Sequence, residues 1–343
     1  MPKVKGCVKT DKGAVALNDY ELGDPGPGQA LVKMALSTIC GSDIHIVDDI
    51  DDVPAGMPMG HEAVGVVEAV GDGVDRFKPG DRVVTCCLSS CGSCEQCVDG
   101  NLNVCRTFGA PMNLLFGCQG EAYMANGADQ SMAIIPDGMS DRQAIFAADI
   151  MSTGFGAIER AGDVEGKTVA IFAQGPVGLC VTAAAKYYKA GRIITVESIP
   201  ERVAMSRQLG ADEVFDPDTA VESILEATGG VGAHVAVEAL GKQVTFSNCL
   251  ASTRMGGTIS SVGVYGGIEE LTVPTDGNFI HRNIVTTLCP AGRERLEHLL
   301  GIIESGEVDL EPLLTHEHSL DDIVASYDTF RAHDDGVLKI AIS

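Results

Sequence analysis

Thr168-Val169-Ala170-Ile171-Phe172-Ala173-Gln174-Gly175-Pro176-Val177-Gly178-Leu179 is the stretch whose reading decides the fold. Thr168 to Phe172 reads as a buried strand, and Val177 to Ala190 as a helix ended at Gly191. The turn between them fits Gly-x-Gly-x-x-Gly except at its first position, where Ala173 stands. Gly175 lets the backbone approach a pyrophosphate, which then sits at the positive end of the helix. Gly178 permits close helix–strand packing. Ala173 implies backbone dihedrals that tolerate a methyl group. The turn as a whole, Gln174, Gly175, Pro176 and Val177, predicts a dinucleotide site.

Outward from this turn the texture alternates. Ile193 to Val196 reads as the next strand and Glu201 to Leu209 as the next helix. Val235 to Glu238, Thr258 to Val262 and Ile284 to Leu288 follow as later strands. Strands alternating with helices imply a parallel, doubly wound sheet of the α/β class. Glu197 ends the second strand. A carboxylate there accepts hydrogen bonds from the adenosine ribose and repels a 2′-phosphate, and no basic residue occurs in Ser198-Ile199-Pro200. NAD is therefore expected over NADP, with Arg202 in reach of either ribose or phosphate. Upstream, Ala30 to Ala35, Ala63 to Val70 and Arg82 to Cys86 are short β-like runs in a Gly- and Val-rich region, which suggests an irregular, mainly β domain. The expected division is residues 1–151 with 290–343, and 152–289, because the chain returns to the first domain after Leu288. No internal repeat or low-complexity linker is visible.

Two cysteine and histidine patterns point to metal. Cys91-Gly-Ser-Cys94-Glu-Gln-Cys97, followed by Cys105, has the spacing of a closed tetrahedral zinc site. Four protein thiolates fill the coordination sphere, so this zinc would be structural. Upstream lie Cys40-Gly41-Ser42-Asp43-Ile44-His45 and Gly60-His61-Glu62. Taken singly, Cys40 and His61 read as core residues. Beside a cysteine lobe they read as the start of an open zinc site that a carboxylate completes, leaving the fourth position for water or substrate.

Composition narrows the class. The chain has 343 residues, 45% hydrophobic, enough for two cored domains. Twelve cysteines in such a chain fit metal binding in a reducing compartment better than a disulfide framework. Met1-Pro2-Lys3-Val4-Lys5 does not read as a secretory leader, and a cytoplasmic location is expected. Val169 to Ala185 is apolar, but Gln174, Gly175 and Pro176 interrupt it, so no membrane span is expected. Net charge is −24, with 48 acidic against 24 basic residues, which argues against a nucleic-acid partner. Asp48-Asp49 with Asp51-Asp52, Asp321-Asp322 and Asp334-Asp335 read as solvated surface. Two readings of this charge stand: a halophile-like adaptation, or an ordinary acidic cytosolic enzyme.

Several motifs together resemble the zinc-dependent medium-chain alcohol dehydrogenases, nearly end to end. They are Gly60-His61-Glu62-x-x-Gly65, Lys78-Pro79-Gly80-Asp81-Arg82-Val83, the cysteine lobe, Ala148-Asp149-Ile150-Met151-Ser152-Thr153-Gly154-Phe155 and the Gln174–Leu179 turn. Asp149, Leu288-Cys289-Pro290 and Leu314-Thr315-His316 look most like the microbial secondary-alcohol enzymes, some of which lack the cysteine lobe. The resemblance implies a Rossmann cofactor domain and a GroES-like catalytic domain, two zinc ions per chain, and a homo-oligomer, a tetramer rather than a dimer. It implies a catalytic zinc on Cys40, His61 and Asp149, with Glu62 either a transient ligand or a tuning neighbour. It implies hydride transfer between a small alcohol and NAD, with Ser42 and His45 as a proton relay. Thr153 would pack on the nicotinamide, Val262, Gly263 and Val264 would meet its carboxamide, and Lys339 would contact the pyrophosphate. A polyol, sugar or amino-alcohol dehydrogenase stays open, as does a non-catalytic nucleotide-binding relative. Leu114, Leu115 and Phe116 lean apolar, but they do not decide between these substrate classes.

Overall fold

β-Branched and small residues dominate the first 150 positions, and they pleat into short strands. The computed structural model describes residues 3–50, 53–110, 113–275, 277, 279–333 and 336–343. Its strands in chain order are β1 (Lys3–Asp11), β2 (Ala14–Glu21), β3 (Ala30–Thr38), β4 (Ala63–Val70), β5 (Arg82–Thr85), β6 (Ala122–Ala125) and β7 (Met132–Ile134). Next come β8 (Thr168–Phe172), β9 (Arg192–Val196), β10 (Glu213–Phe215), β11 (Ala233–Glu238), β12 (Thr253–Ser261) and β13 (Asn283–Thr286). β14 (Leu314–His318) and β15 (Lys339–Ile342) close the series. Two compact units result: Met1–Ser152 with Cys289–Ser343, and Thr153–Leu288.

In the first unit β1 and β2 form a hairpin, and a mixed sheet runs β14-β15-β3-β4-β5-β7 with β6 added on β3. The β3–β4 ladder shifts register at Leu31/Val32 and Met34/Leu36, so the sheet bends there. Ile39, Ile46, Met59, Tyr327 and Ile340 share one apolar cluster. Val32, Val67, Val83, Tyr123 and Met132 share another.

In the second unit the sheet is parallel throughout, in the order β10-β9-β8-β11-β12-β13. Val169, Ala170, Ile171 and Phe172 are all buried, as expected for a strand covered on both faces. The chain starts at β8, winds outward to β10, then crosses to β11. That reversal places a crevice beyond the C-terminal ends of β8 and β11, where doubly wound sheets take their ligands.

The expected element ends move in a few places. The first helix spans Pro176–Tyr187 and stops short of Gly191, because Tyr188 caps it and Lys189 turns left-handed at φ 58°. β13 stops at Thr286, before Leu288. Leu115 is buried in a core cluster, while Leu114 and Phe116 pack against the other, so this run builds core rather than an open apolar wall. Asp48 is also no freely solvated acid: it forms a two-point pair with Arg331 at 2.8 and 3.2 Å. Asp321 and Asp322 are exposed, whereas Asp51-Asp52 and Asp334-Asp335 lie outside the described residues, as do Met1 and Pro2.

Candidate metal centre, cysteine lobe and dinucleotide turn

β3 delivers the chain to Cys40, whose extended backbone caps the Gly41–Asp48 helix. β4 is entered through Gly60 and His61. Gly60 has φ 90°, and a Cβ there would lie 2.5 Å from Gln119 Cγ, so only glycine fits. Asp149 stands just before the Ile150–Ala161 helix. These three points converge. His61 Nε2 is 3.4 Å from Asp149 Oδ2, and Cys40 Sγ is 3.9 Å from the same oxygen. Ligand atoms of Cys40, His61 and Glu62 also lie within 4.8 Å of one another.

His61 Nδ1 lies 2.9 Å from Asp43 Oδ1 and donates to it, which leaves the Nε2 lone pair facing Asp149 and Cys40. That Nε2 is buried with no hydrogen-bond partner. An imidazole nitrogen, a carboxylate and a sulfur pointed at one spot are joined by a cation, whether a proton on the nitrogen or a metal ion, and these residue types fit zinc. Burial works against charge on His61, but Asp43 and Asp149 outweigh it and hold the ring well above the usual histidine range. The surroundings thus favour positive charge at this point.

Asp43 is itself fixed. Its Oδ2 accepts from the Cys40 amide at 3.0 Å and from Gln119 Nε2 at 3.0 Å. Gln119 Oε1 accepts in turn from the Tyr327 hydroxyl at 2.8 Å. Glu62 accepts from Thr38 Oγ1 at 2.5 Å and forms a buried ion pair with Lys339. Burial would lower the Lys339 amine, but Glu62 outweighs it and raises the amine above the ordinary lysine value. Lys339, expected at a pyrophosphate, is 2% exposed and its charge is matched by Glu62. Ser42 Oγ lies 3.4 Å from Cys40 Sγ. His45 Nδ1 lies 2.6 Å from Asp49 Oδ2 on a partly exposed helix face.

The cysteine lobe closes as its spacing implies: ligand atoms of Cys91, Cys94, Cys97 and Cys105 all lie within 4.8 Å of one another. Burial pushes the Cys91 thiol up, but hydrogen bonds from Thr107, Ser93 and the Cys94 amide together bring it down to about 5. A thiolate is the form a metal takes.

In the second unit the turn after β8 is tight. Ala173 adopts φ 74°, against the expectation of dihedrals that suit a methyl group. The helix packs so closely that a Cβ on Gly178 would lie 2.1 Å from the Ala173 carbonyl oxygen. Gln174 turns its side chain inward, accepting from Thr182 Oγ1 at 2.8 Å, while Gly175 caps the helix and Pro176 and Val177 open it. Glu197 is buried at the end of β9. Its carboxylate accepts from the amides of Gln174 at 3.0 Å, Ser198 at 2.8 Å and Ile199 at 3.0 Å. Arg202 sits half-buried on the Pro200–Leu209 helix. Thr153 is buried, and Val262 and Gly263 donate their amides to the Glu238 carbonyl, with Val264 exposed beyond them.

The geometry has close relatives. Residues 26–137 match the alcohol dehydrogenase GroES-like domain, and residues 176–305 the zinc-binding dehydrogenase domain. An alcohol dehydrogenase of Cupriavidus necator is 39% identical over 99% of this chain and 98% of its own length. The chain belongs to the zinc-binding alcohol dehydrogenase family. An NADP-dependent isopropanol dehydrogenase of Thermoanaerobacter brockii is 35% identical over 91% of this chain and 92% of its own. The solved alcohol dehydrogenase TADH from Thermus sp. ATN1 superposes with a TM-score of 0.91 at 29% identity, covering 98% of this chain and 99% of that one.

Sequence reasoning missed two features of this dehydrogenase. One is the Asp43–Gln119–Tyr327 chain behind His61. Asp43 lies inside the Cys40–His45 motif, but its partners are distant and nothing local marks them. The other is a buried group of thiols, Cys87 and Cys289, whose ligand atoms lie within 4.8 Å of each other and of Asp149. Among the described residues, no helix of the dehydrogenase is long and apolar enough to cross a membrane.

Proposed function

We propose that this dehydrogenase carries two zinc ions per chain and moves a hydride reversibly between a small secondary alcohol and NAD. The observation that carries the reading is the orphaned His61 Nε2 facing Asp149 and Cys40. Cys40, His61 and Asp149 would hold the catalytic ion, and Cys91, Cys94, Cys97 and Cys105 the structural one. When bound, zinc supplies Lewis acidity toward the oxygen of an alcohol or carbonyl compound. The chain does the rest. Asp43 fixes the tautomer and tilt of His61, and Gln119 and Tyr327 hold Asp43. Lys339 neutralises Glu62, so Glu62 acts as a tuning neighbour while that pair holds. Ser42, beside Cys40, would accept the hydroxyl proton as it releases its own, and His45, oriented by Asp49, would pass that proton to solvent. Thr153 and the Val262–Val264 backbone would position the nicotinamide.

Glu197 supports NAD, since a buried carboxylate at the end of β9 repels a 2′-phosphate. The Thermoanaerobacter brockii relative, by its name NADP-dependent, favours the second reading, NADP. The same name supports a secondary alcohol over a polyol, sugar or amino alcohol. The complete ligand set speaks against a non-catalytic relative. A panel of primary, secondary and polyhydroxy alcohols, assayed with NAD and NADP beside metal analysis, tests all of this. Faster turnover of secondary alcohols with NAD, on protein holding two zinc ions, is expected. Higher catalytic efficiency with NADP would overturn the cofactor assignment. Glu197→Ser should narrow the NAD preference by about tenfold or more, because removing one charge repulsion is worth about 1.4 kcal/mol or more.

We also propose a homo-oligomer. β13 is an edge strand with Ile284 exposed, and Phe279, Ile280 and Leu288 lie exposed near it. An open apolar edge is a surface for strand pairing with a second copy.

A further inference from the structure

The thiols behind Asp149 have no part in the chemistry above. Cys87 is 2% exposed, Cys289 5% and Asp149 9%. Their ligand atoms all lie within 4.8 Å of one another. Two thiolates on one tetrahedral ion sit about 3.8 Å apart, given metal–sulfur bonds of about 2.3 Å, so little movement would close such a set. The backbone holds the group in place. The Cys87 amide donates to the Ala148 carbonyl at 3.0 Å, and the Cys87 carbonyl accepts from Leu115 at 2.7 Å. Cys289 Sγ lies 3.7 Å from the Asp149 carbonyl oxygen and 3.5 Å from that of Pro290. Asp149 Oδ2 also lies 3.4 Å from His61 Nε2 and 3.9 Å from Cys40 Sγ. One carboxylate is thus within reach of two donor sets.

We propose that Cys87, Cys289 and Asp149 form a third cation site, for a soft divalent ion such as cadmium or surplus zinc, which shares Asp149 with the catalytic centre. Two thiols and one carboxylate select a thiophilic ion over calcium or magnesium, which need a shell of oxygens. A carboxylate bridging two ions is the arrangement of two-metal sites, whose ions stand about 3.5–4 Å apart. Binding forms two metal–sulfur bonds and releases the two thiol protons to buffer, with no change of oxidation state. A cation there draws on Asp149, so the site inhibits the enzyme and a chelator restores it. The proposal rests on Asp149 being a ligand of the catalytic zinc.

The test uses the protein as purified, with its zinc content measured first. Equilibrium dialysis against micromolar cadmium chloride then counts cadmium and zinc per chain, and the ultraviolet charge-transfer absorption of cadmium thiolate reports the ligand type. The expected result is one extra cadmium per chain with no zinc released, and activity falling with its occupancy. Cys87→Ala and Cys289→Ala should each weaken this binding at least tenfold, whereas Cys249→Ala, a buried thiol of the other unit, should not. Cadmium replacing zinc one for one would overturn the site, as would extra cadmium bound equally by both variants. If one variant fails to fold, the other still decides. A starting protein with only the lobe zinc would instead overturn the ligand reading of Cys40, His61 and Asp149.

Discussion

Ala173 is the one residue of the cofactor turn whose backbone works against its side chain. Its φ of 74° lies in the left-handed region, which costs a residue with a Cβ about 1–2 kcal/mol. Glycine removes that cost but gives up part of it to the entropy of the unfolded chain. Ala173→Gly should therefore stabilise the protein by about 0.5–1 kcal/mol, read as a higher denaturant midpoint at unchanged slope. An unchanged or lower midpoint would mean the methyl group contributes packing that offsets the strain. Lys339 shows the opposite economy. With its partner Glu62 fully buried, Lys339→Met should cost about 3–5 kcal/mol by leaving a carboxylate unpaired. Glu62→Gln in the same chain should recover much of it. The sign with pH follows from the raised amine. Its contribution is complete below the unfolded lysine value of about 10.5 and is lost progressively as pH rises from there to the folded value. Stability measured at pH 8 and at pH 11 should thus fall more in the wild type than in the variant. Residues of this kind mark how far sequence can be read. Cys40 and His61 announce themselves by their neighbours in the chain. The family resemblance places Lys339 at a phosphate, and nothing near it in sequence names Glu62. Ala173 revealed its identity but not its dihedral, because an alanine in a glycine slot can mean either a relaxed turn or a strained one.

At the scale of elements, spacing was the strongest guide. The strand–turn–helix around Gly175 and the Cys91–Cys105 lobe were both legible, because each is a local pattern with one physical solution. The lobe carries little apolar packing of its own: Gly92, Ser93, Glu95, Val98, Asp99 and Gly100 are exposed. In the function proposed above, a zinc ion on its four thiolates holds it closed. Cys94→Ala should remove one zinc ion, leave the second in place, and make residues 91–107 sensitive to limited proteolysis. Loss of both ions would show that the two centres are not independent. The β13 edge tells a different story. Its last residues read as strand in the sequence, yet Leu288 lies beyond the ladder and exposed. Ile284→Lys should shift the protein to a smaller species in light scattering while leaving its circular dichroism unchanged. An unaltered mass would place the subunit contact elsewhere.

Over the whole molecule the dominant quantity is charge. A net −24 on 343 residues means carboxylates repel at low ionic strength. Asp163, Glu294, Asp321 and Asp328 project with side chains more than 70% exposed, and the single lysine or arginine beside each is screened by solvent. The screening length falls from about 30 Å at 0.01 M salt to about 3 Å at 1 M. The melting temperature should rise over that range in potassium chloride and then level off. A further rise above 1 M would point to ion binding or strengthened apolar burial. A flat or falling curve would make this an ordinary acidic enzyme.

The return of the chain to its first unit has a consequence for the order in which the molecule can assemble. The second unit is one uninterrupted stretch, Thr153–Leu288, and every strand it needs lies within it. The first is not. β3 waits for β15, which arrives some 300 residues later to pair Ala341 with Thr38. Until then the Glu62 carboxylate has no lysine, and Cys289 has not met Cys87. On a ribosome the second unit can therefore finish first, while the first unit, which contains Cys40, His61, Asp149 and the cysteine lobe, stays open at one edge. A nascent chain stalled once Leu288 has cleared the ribosome should protect the middle of the molecule from protease and leave the beginning exposed.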